Sequence, residues 1–101
     1  MKTKEIKTID IYTLTWFDKI NGNTYFAQRI VINYKLENQT TIYNKFQYGY
    51  SGFRVWAFDC MRKSGLLSEY SSLHDVETKS KIIVREYERK ALKRELTHID
   101  D

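Results

Sequence analysis

A chain of 101 residues with 42% hydrophobic, 15% aromatic and 30% charged side chains has enough apolar surface for one packed domain, read here as residues 1–101. The absence of proline, the four glycines and the net charge of +4 exclude collagen-like, low-complexity and disordered chains. Its lone cysteine, Cys60, excludes an internal disulfide and a cysteine-based zinc site, and no segment resembles a membrane span or a signal peptide. The expectation is a cytoplasmic protein without membrane contact.

The polar stretches 1–5 and 97–101 read as frayed. From Ile6 to Phe17 the residues are mostly β-branched or aromatic and favour a strand. Asn21-Gly22 is a hairpin signal, because a type I′ turn needs positive φ at both central residues. Thr24–Tyr34 alternates as a second strand, with Gln28 as the polar exception, and Thr40–Tyr48 follows as a third. The expectation is an antiparallel three-stranded meander. A two-residue loop at Asn21-Gly22 would set Phe17 opposite Phe26 and Ile11 opposite Ile32. A three-residue loop, Glu37-Asn38-Gln39, would set Ile30 opposite Phe46 and Tyr34 opposite Ile42, with Asn38 or Gln39 left-handed. One face then collects Ile9, Ile11, Phe17, Phe26, Ile30, Ile32, Tyr34, Ile42, Phe46 and Tyr48 as core.

The opposite face carries Tyr12, Leu14, Trp16, Tyr25, Ala27, Val31 and Tyr43, interleaved with Arg29 and Lys45. A solvated antiparallel sheet would be more polar there. Two readings stand: another element or a bulge near Ile11-Tyr12 hides these residues, or they form an exposed aromatic patch that binds something.

Gly49 and Gly52 bracket a turn, and Ser51 reads as the N-cap of a helix. Phe53, Trp56, Ala57, Cys60 and Met61 form one helical stripe for the core, and Gly65 is placed to end the helix. Cys60 on that stripe reads as a small buried hydrophobe rather than a nucleophile. Leu66–Asp75 reads as irregular. Lys81–Arg89 reads as a strand joining the sheet edge, with helical character beyond it; a wholly helical segment would instead present Ile83, Tyr87 and Ala91 as a stripe. The fold class is therefore α+β, with β-β-β-α-β as the favoured order.

Catalytic signatures are absent from the sequence. It contains no P-loop, and Ser64, Ser68, Ser71 and Ser72 lack a glycine-rich elbow. His74-Asp75 and His98 with Asp100 and Asp101 have ligand chemistry, but the second group lies in a stretch read as frayed. No catalytic residue, metal site or cofactor is expected. The basic segment from Lys79 to Arg94 includes Lys79, Lys81, Arg85, Arg89, Lys90, Lys93 and Arg94 against Glu86 and Glu88. Such a run is most often a solvated face; its functional reading is a surface for nucleic acid or an acidic partner.

Leu14-Thr15-Trp16-Phe17-Asp18, Asn21-Gly22-Asn23-Thr24-Tyr25-Phe26 and Phe46-Gln47-Tyr48-Gly49-Tyr50 resemble strings in small accessory proteins encoded by bacteriophages. The resemblance runs from about Lys7 to Leu67 and brings no catalytic residues with it. It implies a non-catalytic phage protein that binds and disables a host protein, such as a nucleic-acid-handling defence complex of the CRISPR type. Tyr12, Trp16, Tyr25, Arg29, Tyr43, Lys45, Arg85, Arg89 and Lys93 are the candidate partner-binding residues. The competing expectation is a single-stranded nucleic-acid binder that stacks bases on the same aromatic and basic face. A homodimer through that face or the terminal strand is compatible with either.

Overall fold

The computed structural model describes residues 2–101. It is α+β, a four-stranded mixed sheet with three helices. The strands are β1 (Thr8–Asp18), β2 (Asn23–Ile32), β3 (Thr40–Tyr48) and β4 (Ile83–Lys90), in the spatial order β3-β2-β1-β4. The three-stranded meander is thus extended by a fourth strand, parallel to β1. Helices α1 (Phe53–Lys63) and α2 (Leu73–Lys79) lie between β3 and β4 in sequence, and α3 (Lys93–Thr97) follows β4. Where the sequence suggests fraying, Thr3–Glu5 form one 3-10 turn and α3 extends to Thr97.

The first hairpin forms where expected, with a longer turn. Asp18 pairs with Asn23, leaving Lys19–Gly22 as the loop. The Asp18 carboxylate accepts hydrogen bonds from the Ile20 and Asn21 amides and from the Asn21 side chain, and Gly22 takes φ +71°. Satisfying those loop donors favours four residues over the tighter turn. The register moves by two, so Ile11 faces Ile30 and Phe17 faces Thr24 rather than Ile32 and Phe26. An even shift preserves the faces. The second connection differs too: β2 stops at Ile32, and the left-handed positions are Asn33 and Lys35, not Asn38 or Gln39. Buried Asn33 earns its place by accepting from the Lys7 and Thr8 amides and donating to the Glu5 carbonyl.

A bulge lies in β3, not in β1. Gln28 faces Asn44 but Phe26 faces Gln47, so one residue is inserted across from Ala27. Beyond it, side-chain parity inverts. Phe46 and Tyr48, expected in the core, therefore turn to the opposite face, and Asn44 and Gln47 take the inner positions. There they complete a polar ladder: fully buried Gln28 donates to Thr13 Oγ1 (3.1 Å) and the Phe53 carbonyl (2.8 Å), and accepts from Asn44 Nδ2 (3.0 Å). An unpaired Gln in that position would be costly, and these bonds tie three strands to the start of α1.

Ile9, Ile11, Ile30 and Ile32 of the sheet pack with Ala57, Phe58 and Met61 of α1, with Leu73 and Val76 of α2, and with Leu66 and Leu67. The buried stripe of α1 is rotated from the expected one: Phe58 enters the core, while Trp56 stays 39% exposed. The N-cap is Gly52 at φ +71°, not Ser51. Gly65 at φ +85° ends the helix as expected. Helix α2, read as irregular, is built on Ser72, whose hydroxyl accepts from the Asp75 amide while the Asp75 carboxylate accepts from the Ser71 amide. Of the expected core face, Phe17 and Tyr34 lie exposed beyond the helical cover.

Candidate functional site

The sheet face opposite α1 and α2 is divided by the chain after β4. Helix α3 crosses it, contacting β1, β2 and β3. Leu96 is fully buried, as is Ala27, and Val31 is nearly so. Lys45 Nζ reaches Asp100 Oδ2 at 3.0 Å and fixes the far end of this segment to β3. The centre of the face is covered, as the first sequence reading expects, while its two ends carry aromatic groups that are half-buried or exposed.

At the hairpin end, the segments 14–18, 21–26 and 46–50 come together. Trp16 pairs with Tyr25, Tyr25 with Tyr48, and the Gly49 amide donates to the Thr24 carbonyl. The Tyr25 ring is a hub: Trp16 stacks on it at 5.8 Å, Phe46 at 5.0 Å, and Tyr48 meets it edge-on at 5.8 Å. Lys93 of α3 sits over the Trp16 ring at 5.5 Å, a cation–π contact. Tyr48 is 57% exposed, and Phe17, Ile20 and Tyr50 nearby are also open to solvent.

Towards the β1–β4 side, Tyr12 and Tyr87 occupy paired positions and stack at 4.8 Å, with the Arg29 guanidinium 4.8 Å from the Tyr12 centroid. Burial first, then the Asp10 carboxylate, push the Tyr12 phenol above its usual pKa. Tyr12, Leu14, Arg29, Arg89, Glu95, His98 and Ile99 line a cleft of about 350 Å³. Much of the basic charge expected for partner contact is engaged within the chain. Arg85 forks onto buried Asp10, Arg89 pairs with Glu95 at 2.9 Å, and Lys45 holds Asp100. Hydrogen bonds from Arg89 and the Leu92 amide hold Glu95 below the ordinary carboxylate range. Tyr43 is half-buried opposite Arg29.

The structure thus places all nine candidate residues on or beside one face and groups Trp16, Tyr25 and Lys93 apart from Tyr12, Arg29 and Arg89. Phe46 and Tyr48 belong to the first group, and sequence reasoning missed them. A regular strand would keep Phe46 and Tyr48 on the inner face with Ile42 and Asn44 and set Gln47 outside, and no local signal marks the bulge that exchanges them. On the other side of the sheet, Arg54 bridges Glu77 and Glu86; burial opposes its charge, but the two carboxylates outweigh that and raise its pKa. Cys60 is half-buried, and burial pushes its thiol up. Among the described residues no group of three His, Cys, Asp or Glu converges, and no helix is long and apolar enough to cross a membrane. Comparisons with protein-family models, curated proteins and solved structures find no match for this chain.

Proposed function

We propose that this chain is a non-catalytic protein that acts by stoichiometric binding to a protein partner through the aromatic hairpin end. The observation that carries the reading is the Trp16–Tyr25–Phe46–Tyr48 cluster, four rings from three paired strands with Lys93 at its margin. Aromatic side chains held by a sheet lose little freedom on binding, and Trp and Tyr dominate interface hot spots. The resemblance to phage accessory proteins supports a partner in the host cytoplasm, a nucleic-acid-handling defence complex of the CRISPR type, which the chain would inhibit.

Capture from host lysate with quantitative mass spectrometry tests this reading. The wild-type chain should enrich a defined host protein, and Trp16→Ala and Tyr48→Ala should each weaken that binding by about 2 kcal/mol or more. Equal recovery by wild type and both variants defeats it.

One observation favours a second reading, single-stranded nucleic-acid binding: Arg29 lies over Tyr12 beside Tyr87, a cationic group next to stacking surfaces. Its affinity must fall as salt rises, because neutralised phosphates release counterions. Self-association is compatible with both readings.

A further inference from the structure

We propose that the outer edge of β4 pairs antiparallel with the same edge of a second copy of this chain, joining two four-stranded sheets into one. This deepens the self-association reading by naming its surface and register.

The edge is open. Ile83 donates to the Lys7 carbonyl and Ala91 to the Thr15 carbonyl. In a parallel ladder alternate residues bond the same neighbour, so Ile83, Arg85, Tyr87 and Arg89 face β1. Val84, Glu86, Glu88 and Lys90 therefore point their backbone N–H and C=O groups away from the sheet. The strand has neither proline nor a bulge in its register to block pairing. The opposite edge differs: α1 roofs β3, where Cys60 Sγ contacts the Tyr43 carbonyl and Asn44 Nδ2 the Trp56 carbonyl. Beside β4, a groove of about 600 Å³ between α1, α2, Glu86 and Glu88 leaves the helical side of the edge uncovered.

Charge then selects the register. With Glu88 opposite the partner's Glu88 on the two-fold axis, Glu86 faces the partner's Lys90 and Tyr87 faces the partner's Arg89, each contact occurring twice. Opposite charges and cation–aromatic pairs directly across strands are stabilising, and Glu86 and Arg89 would share these contacts with their pairings to Arg54 and Glu95. Sliding the pairing one way sets Glu86 against the partner's Glu88 and Arg85 against the partner's Arg89. Sliding it the other way sets Glu88 against the partner's Lys90 but Arg89 against the partner's Arg89, and shortens the paired stretch from 86–90 to 88–90. Like-charge contacts thus disfavour the first slide, and the shorter paired stretch disfavours the second.

The test combines sedimentation equilibrium with amide hydrogen exchange on the full chain. Mass should rise towards a dimer with concentration, and the Glu86, Glu88 and Lys90 amides should gain protection as it does. Tyr87 and Arg89 amides, bonded to β1, should be protected throughout. Lys90→Glu, which faces the partner's Glu86, should weaken the dimer about tenfold. Glu88→Gln, which removes the like charges on the axis, should tighten it. A chain that remains monomeric to about 1 mM, the weak end of the affinity scale, overturns the proposal. So does a dimer that leaves those three amides unchanged or ignores Lys90→Glu. Loss of partner capture by Trp16→Ala or Tyr48→Ala concerns the other reading and leaves the mass measurement unaffected.

Discussion

Arg85 grips Asp10 across paired positions of the parallel β1–β4 ladder, with Nε to Oδ1 at 2.7 Å and Nη2 to Oδ2 at 3.1 Å. The carboxylate is 2% exposed and the guanidinium side chain 46% exposed. The bond raises the pKa of Arg85. Removing the arginine strands a carboxylate where water barely reaches it. Arg85→Ala should therefore destabilise the fold, though by less than breaking a fully buried pair would, because the arginine is half in water. Asp10→Asn should cost less, since the charge it leaves unpaired, that of Arg85, is half in water rather than buried. Urea unfolding of both variants measures the difference.

The bulge makes a prediction about two phenylalanines one strand apart. Phe26 is fully buried against Phe53 and Trp56, whereas Phe46 stacks on Tyr25 at the other face. Phe26→Ala should cost about 3–5 kcal/mol, and Phe46→Ala clearly less. Equal losses would place Phe46 in the helical core and remove the bulge.

Gly49 shows why a residue without a side chain follows Tyr48. A Cβ there would stand 2.6 Å from a Phe26 ring carbon, so the ring would have to move within a filled core. Gly49→Ala should destabilise by about 1–3 kcal/mol. Gly52→Ala meets open space but must hold φ +71°, and should cost about 1 kcal/mol through backbone strain alone. Thermal or denaturant midpoints of the two variants should separate steric conflict from strain.

Acid should loosen the first hairpin turn. Hydrogen bonds from the Asn21 side chain, followed by the Asn21 and Ile20 amides, depress the pKa of Asp18 below its ordinary value of 3.8. A depressed carboxylate pKa means that the unfolded chain binds the proton more readily. Its stabilising effect is therefore complete above the ordinary value and disappears as pH falls through the lower, folded one. Asp18→Asn should flatten that part of the stability profile. An unchanged acid limb in this variant, followed by denaturant titration at successive pH values, would show that the turn contributes nothing to it.

Much of the architecture was legible because period-two apolar patterning in β1 and β2 survives any even shift of register. The strand preference of Ile82-Ile83-Val84 likewise placed β4 at an edge. Errors arose where a side chain overrode the local pattern. Asp18 satisfied a longer turn, Asn33 took the left-handed site, and the Gln28–Asn44 bond drew β3 into a bulge that exchanged Phe46 for Gln47. Helix α2 did announce itself through Ser72 and Asp75, a cap spacing three residues apart, but its seven residues held too few apolar positions to stand out. The aromatic face was visible as composition along the strands; its division was not, because α3 lies far along the chain from the strands it crosses.

Asp10 and Arg85 are 75 positions apart in sequence. Pairing β1 with β4 thus closes a loop that encloses α1, α2 and the other two strands, whereas each hairpin closes only a short one. During synthesis the first three strands emerge well before their last cover, the α3 segment that crosses them. For that interval the nascent chain shows water an apolar sheet surface that the finished molecule hides, the kind of surface that chaperones engage. The segment that partitions the mature face also decides when that face stops being sticky.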